Sequence, residues 1–359
     1  MARSGRRVFI AQPTKELIDK TVREELETIP DHPAYRVFHG DTVGAKSIAK
    51  RLIDYLKDPE EGGQIIFITH ALLPLVRFWP NKGDWDLLVD EEPQVIRYKS
   101  HRVPETHGLI TESLQVEPVN STHGRVLLID QDEVDEKGRN RQGDEVLELF
   151  SDTNRILANE HWETFVNLQQ YERLKTGRGK QLAFHSVLNP TVVEGFRSVF
   201  MASANFQDTA IFKLWEERGE KFREDRAFGQ ELRFTSHPNG ALVTIYYATE
   251  KAWSSKRLQA TAGENGETAF DLMVQAAKDL FGEEPFLWQA NKAHSENPFG
   301  KNARLPNKPH GLNTFLGEHN VAFLSALNPP TPHFKFLETQ GLSGGEVRQA
   351  IYFATAYQP

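Results

Sequence analysis

The run Asp86-Leu-Leu-Val-Asp-Glu-Glu-Pro93 places three acids, Asp90, Glu91 and Glu92, directly after an apolar stretch of strand length. Two neighbouring carboxylates at the end of a buried strand can divide the work of nucleoside triphosphate hydrolysis. One, Asp90, would hold a Mg²⁺ ion, and the other, Glu91, would act as the base that orients or activates the attacking water. The same residues also suit the start of a solvated acidic loop. Other polar groups follow apolar runs in the same manner. Val8-Phe-Ile-Ala-Gln-Pro-Thr-Lys15 puts Gln12, Pro13 and Thr14 at a strand-to-helix turn. Hydroxyl and unpaired backbone N–H groups there can grip a phosphate, and Thr14 equally suits a helix N-cap. Ile68-Thr-His-Ala-Leu72 presents Thr69 and His70, and Val199-Phe-Met-Ala-Ser-Ala-Asn205 presents Ser203 and Asn205. Nearer the C-terminus, Pro309-His-Gly-Leu-Asn313 holds Gly311 and Asn313, and the segment from Gly341 ends in Arg348 and Gln349. Gly311 suits either a turn or a close backbone approach to a ligand.

These side chains need elements to hold them, and the apolar periodicity supplies a parallel α/β arrangement. Val8–Ala11, Tyr35–Phe38, Ile65–Ile68, Asp86–Val89 and Phe196–Ala202 read as buried strands. The spacing of Leu17, Ile18, Val22 and Leu26 predicts a helix over Lys15–Leu26, with others at Ala45–Leu56 and Gln207–Arg218. Ligands of such sheets gather beyond the carboxyl ends of the strands. Residues 98–190 interrupt the pattern and read as an insertion, in which the charged stretch Gln131–Asp144 is expected to be a solvated loop or hairpin tip. Strands are then expected at Leu242–Tyr247, Phe286–Gln289 and Val321–Ser325, a helix at Ala269–Phe281, and an apolar helix from Ala350.

Composition narrows the classes. A chain of 359 residues with 39% hydrophobic and 26% charged residues is typical of a globular protein with room for two domains. No window approaches the length of a transmembrane span. The first residues carry no apolar h-region, so a cytoplasmic location is expected. The absence of cysteine excludes disulfides, thiolate metal sites and cysteine nucleophiles. A formal charge of −8 provides no global attraction to nucleic acid, so such binding must use a local track. Trp253–Arg257 and Lys292–Lys308 are the basic candidates. Trp215, Trp253, Trp288, Phe334 and Phe336 suit base stacking or, more simply, the core.

In their order, Gln-Pro-Thr, Thr-His, Asp-Glu and Ser-Ala-Asn, each after an apolar strand, resemble the motif series of superfamily 2 (DEAD/DEAH-like) helicases. Asn205 stands where that family usually has threonine, although an amide can still donate and accept. The resemblance implies an α/β fold of two RecA-like parallel-sheet domains in tandem. Residues 1–232 would form the first, incomplete and carrying the inserted α+β segment, and residues 233–359 a linker and the second. It also implies ATP and Mg²⁺ as cofactors and nucleic acid, DNA by expectation, as partner. Asp90 and Glu91 would face the nucleotide from one wall, and Arg348 with Gln349 from the other. Gln12, Pro13, Thr14, Thr69, His70 and Asn313 would contact the strand, Gly311 the nucleotide, and Ser203 with Asn205 would couple the two. The chain departs from the family at the phosphate loop, which should precede the Val8 strand. Gly40-Asp-Thr-Val-Gly-Ala-Lys-Ser47 is the nearest substitute, but Ala45 separates Gly44 from Lys46, and a residue is missing between its glycines. The resemblance therefore implies a motor core cut at both ends that does not hydrolyse ATP alone. A non-enzymatic nucleic-acid-binding or interaction module, or an unrelated Mg²⁺-dependent α/β enzyme using Asp90, also fits these residues.

Overall fold

The computed structural model describes residues 1–40, 48–230, 238–250, 253–291, 294, 296–305, 315 and 317–353. Along the chain, β1 (Arg7–Gln12) leads to α1 (Lys15–Lys20), which continues as a π turn over Thr21–Leu26. β2 (Ala34–Phe38), α2 (Ile48–Lys57), β3 (Gln64–Thr69) and β4 (Trp85–Asp90) follow. The chain then enters the insertion: β5 (Ile96–Arg102), β6 (Leu114–Pro118), β7 (His123–Leu128), α3 (Gln131–Arg139), α4 (Glu145–Leu157), β8 (Trp162–Asn167), α5 (Leu168–Lys175) and β9 (Gln181–Leu188). It returns as β10 (Ser198–Ala202) and α6 (Ala210–Glu217). Further on are α7 (Ala269–Phe281), β11 (Leu287–Gln289), β12 (Val321–Phe323) and α8 (Thr331–Thr339).

Five of these strands form one sheet in the order β10-β4-β1-β3-β2, and every pairing is parallel. The near-continuous apolar runs that encode its inner strands fit burial on both faces. Phe9 of the central strand packs among Trp79, Trp85 and Phe196. On the helix side Ile18, Val22 and Leu26 bury against Phe67, which explains their spacing.

The insertion is a second, antiparallel sheet in the order β5-β9-β8-β7-β6. Its neck is closed by a hydrogen bond from the Leu188 N–H to the Val95 carbonyl, 2.8 Å. One face packs on α4 through Phe150, Val166, Leu182 and Phe184. On the other, His185 stacks with His333 and Phe336 of α8, and Phe336 is fully buried.

By their contacts the residues divide into two compact units, Met1–Glu220 with Thr331–Val347, and Lys221–Pro330 with Arg348–Pro359. In the second unit β11 and β12 pair in parallel, and Trp288 packs with Phe270, Phe286 and Phe299. A Thr268–Asp271 capping box starts α7. No helix among the described residues is long and apolar enough to cross a membrane.

Two sequence expectations are corrected. Gln131–Asp144 is not a loop, because Gln131–Arg139 forms α3. Asp130 caps it by accepting from the Glu133 N–H, and Glu133–Lys137 and Asp135–Arg139 pair one turn apart, so the charges support a helix rather than dissolve it. Leu242–Tyr247 is not a strand. Its strand-like residues find no partner strand among the described residues and stay exposed, Leu242 at 82%. Of the aromatic candidates, Trp215, Trp288 and Phe336 are core residues. Trp253 packs partly buried against the second unit's core.

Candidate functional site

Because all five strands of the first sheet run the same way, their carboxyl ends share one edge, and Gln12, Thr69, Asp90 and Ala202 close four of those ends. Register makes this quantitative. Gln12 pairs with Thr69, Ala11 with Val89, and Ala202 with Asp90.

Side chains then link the strands. Gln12 is buried and donates from Nε2 to Asp90 Oδ2 at 2.8 Å and to Thr21 Oγ1 at 3.0 Å. Its Oε1 is buried without a hydrogen-bond partner among the described residues. His70 Nε2 lies 2.8 Å from the Asp90 carbonyl and 3.1 Å from the Ala11 carbonyl. Both neighbours only accept, so Nε2 carries the proton and the imidazole bridges β1 and β4. Thr14 accepts from the Leu17 N–H at 3.1 Å, which makes it the N-cap of α1.

Glu91 and Glu92 turn the chain away from the edge. Glu91 adopts a left-handed backbone, φ 66°, while its N–H donates to the Ala202 carbonyl at 2.7 Å. For a non-glycine residue that conformation is uncommon and marks an over-determined turn. Burial, and then the charge of Asp90, raise the Glu91 carboxyl above its ordinary value, which suits a proton acceptor. Glu92 reaches the start of α6, accepting from the Ala210 N–H at 2.9 Å. Asn205 is also left-handed, φ 51°, and opens the short turn Phe206–Asp208 ahead of α6.

The structure therefore brings together Gln12, Pro13, Thr14, Thr69, His70, Asp90 and Glu91, with Ser203 and Asn205 following β10 on the same edge. Arg348 and Gln349 are exposed on the π-helical segment Arg348–Phe353 of the second unit. Gly311 and Asn313 lie outside the described residues, as do residues 41–47 of the Gly40–Ser47 run.

The role of Glu92 was not evident from sequence, although it is the third acid of the same run. Replacing Glu92 with alanine removes an acceptor from the first turn of α6. The expected loss is about 1 kcal/mol, or a melting temperature lower by about 2–4 °C; an unchanged thermal melt would show that Thr209 caps the helix unaided.

A second cluster sits at the opposite, amino end of β4. Asp86, 1% exposed, accepts from Arg6 at 2.5 Å, from Arg197 Nε at 3.1 Å and from Ser198 Oγ at 2.5 Å. Burial alone would raise its carboxyl, but Arg197, Arg6 and Ser198 together hold it well below the usual carboxylate range. The sequence signal was a basic residue immediately before each of two strands flanking an acid.

Comparison with protein-family models, with curated proteins and with solved structures gives no match to this chain.

Proposed function

We propose that this chain carries the strand-gripping and coupling elements of an ATP-driven nucleic-acid motor of the superfamily 2 helicase type, its parallel sheet being the first of two RecA-like domains. The observation that carries this reading is the linked carboxyl edge. Gln12 and His70 both bond to Asp90, and the Glu91 N–H bonds to the end of β10, so a displacement at the acids is felt at the Gln12–Thr14 turn and at Ser203–Asn205.

Asp90 is suited to hold Mg²⁺, and Gln12 Oε1 offers a further oxygen, buried and unpartnered. These are hard donors, and Mg²⁺ bound with a nucleotide needs only one or two protein oxygens. Mg²⁺-ATP supplies the phosphoryl group and the screening of its charge. With Mg²⁺-ATP bound, Glu91, its carboxyl raised, would accept a proton from the attacking water. Thr14 and the N–H groups at the start of α1 face the phosphodiester backbone.

Fluorescence anisotropy with a single-stranded oligonucleotide tests the proposal. Affinity is expected to fall about tenfold or more between about 50 mM and about 200 mM salt, and His70→Ala is expected to weaken it at either salt. No binding, or binding indifferent to salt, overturns the reading.

A further inference from the structure

On the α4 side of the inserted sheet lies a cavity of about 300 Å³, lined by Arg97 and Lys99 of β5, Thr164 of β8, Ser186 of β9 and Asp152 of α4, with Phe184 and Leu157 as apolar wall. Its polar groups are out of balance. The Arg97 guanidinium lies over the Trp162 ring at 5.5 Å and donates from Nη1 to Asp152 at only 3.3 Å. Its Nε–H is buried and has no acceptor among the described residues. Thr164 and Ser186, both buried, bond to one another at 2.8 Å. Two hydroxyls carry two protons and that bond uses one, so a second donor is left over. Lys99 adds a positive charge that no carboxylate pairs among the described residues, and after burial that charge also pushes the nearby His101 imidazole below its ordinary value. Asp152 is more than half exposed at the rim, and one carboxylate does not offset two cations.

A buried donor without an acceptor costs about 1–3 kcal/mol. Two such donors beside two cations select a ligand that is anionic and rich in acceptors. Arginine's planar fork, held over the Trp162 ring, matches phosphate in particular. We infer that this cavity is a binding site for a phosphate ester, with the phosphate on Arg97, Lys99 and the Thr164–Ser186 hydroxyls and the organic part against Phe184 and Leu157. The ester could be a free mononucleotide or one unit of a nucleic-acid strand, since both present the same group. The site belongs to the inserted sheet and does not rest on the helicase reading.

Isothermal titration of the full chain with inorganic phosphate, with thymidine monophosphate and with a short oligothymidylate tests it. Saturable binding of at least the monophosphate is expected, weakened about tenfold by Arg97→Gln. Lys99→Gln, an exposed position that leaves folding intact, should weaken it several-fold. Arg141→Gln, on the turn between α3 and α4, should leave it unchanged. Oligothymidylate that displaces the monophosphate identifies a strand as the source, and failure to displace it identifies the free nucleotide. Absence of binding by all three probes, or binding indifferent to both Arg97→Gln and Lys99→Gln, overturns the proposal.

Discussion

Asp86→Ala is expected to lower the stability of the first unit by about 2 kcal/mol, because it removes the shared acceptor of Arg6, Arg197 and Ser198 at the foot of the sheet. The two arginines are more than one-third exposed and can turn to water once the carboxylate is gone. Arg6→Ala or Arg197→Ala alone should cost less, about 1 kcal/mol each, because the other arginine and Ser198 still bond the buried carboxylate. Urea unfolding measures this as a shift of midpoint at constant slope. A loss below about 1 kcal/mol for Asp86→Ala would show that the buried carboxylate is as costly to desolvate as it is useful. The acid side of the same argument has a definite sign. The Asp86 carboxyl is held low in the folded chain, so its contribution is complete above the ordinary carboxylate value near 3.8 and is lost as pH falls below it.

Histidines act at higher pH and with the opposite charge. Burial pushes His333 down to about 4, and burial with the neighbouring His333 and His123 pushes His185 down to about 3. Their Nδ1 atoms lie 3.0 Å apart, so the pair shares one proton across the contact between β9 and α8. Both rings are neutral when folded, whereas in the unfolded chain they charge below about 6.5. The unfolded chain then binds more protons, and stability falls as pH drops from about 6.5 towards about 4. Each histidine contributes up to about 1.4 kcal/mol per pH unit in that window. The measurement is hydrogen exchange of the α8 amides across the range, where α8 should lose protection before the parallel sheet does. His185→Phe should flatten the pH dependence, since Tyr98, His333 and Phe336 around it already form an aromatic stack. Equal protection at pH 7 and pH 4 would refute the assignment.

Much of the parallel sheet was legible because buried strands leave a plain mark. All five of its strands begin and end within two residues of their apolar runs, and the acids after Asp86-Leu-Leu-Val fall at a strand end as read. The order of strands was not legible, since nothing local in Val8–Ala11 says that it pairs with both β3 and β4. The antiparallel insertion was faint for a physical reason. Its strands mix polar residues into the buried positions, as with His101, His123, Thr164, His185 and Ser186, so apolar alternation is broken. α3 was misread because high charge was taken as solvation, when charges four residues apart were pairing along a helix. Within the candidate site, the positions of Asp90 and Gln12 were foreseen, but the bond between them depends on a register that only the folded sheet supplies.

The inserted sheet also bears on the order in which the chain assembles. β4 and β10 lie side by side, yet Asp86 and Ser198 are 112 residues apart. Pairing them directly from an open chain means closing a very large loop. Every neighbour pair of the inserted sheet is antiparallel, β6 and β7 form a short hairpin, and its two ends are joined at Val95 and Leu188. Once it has formed, about twenty residues remain to be closed between the same two positions, which is about two and a half doublings fewer and so about 1.5 kcal/mol less closure entropy. The segment that interrupts the parallel sheet in sequence is thus expected to be the splint on which its edge strand is set.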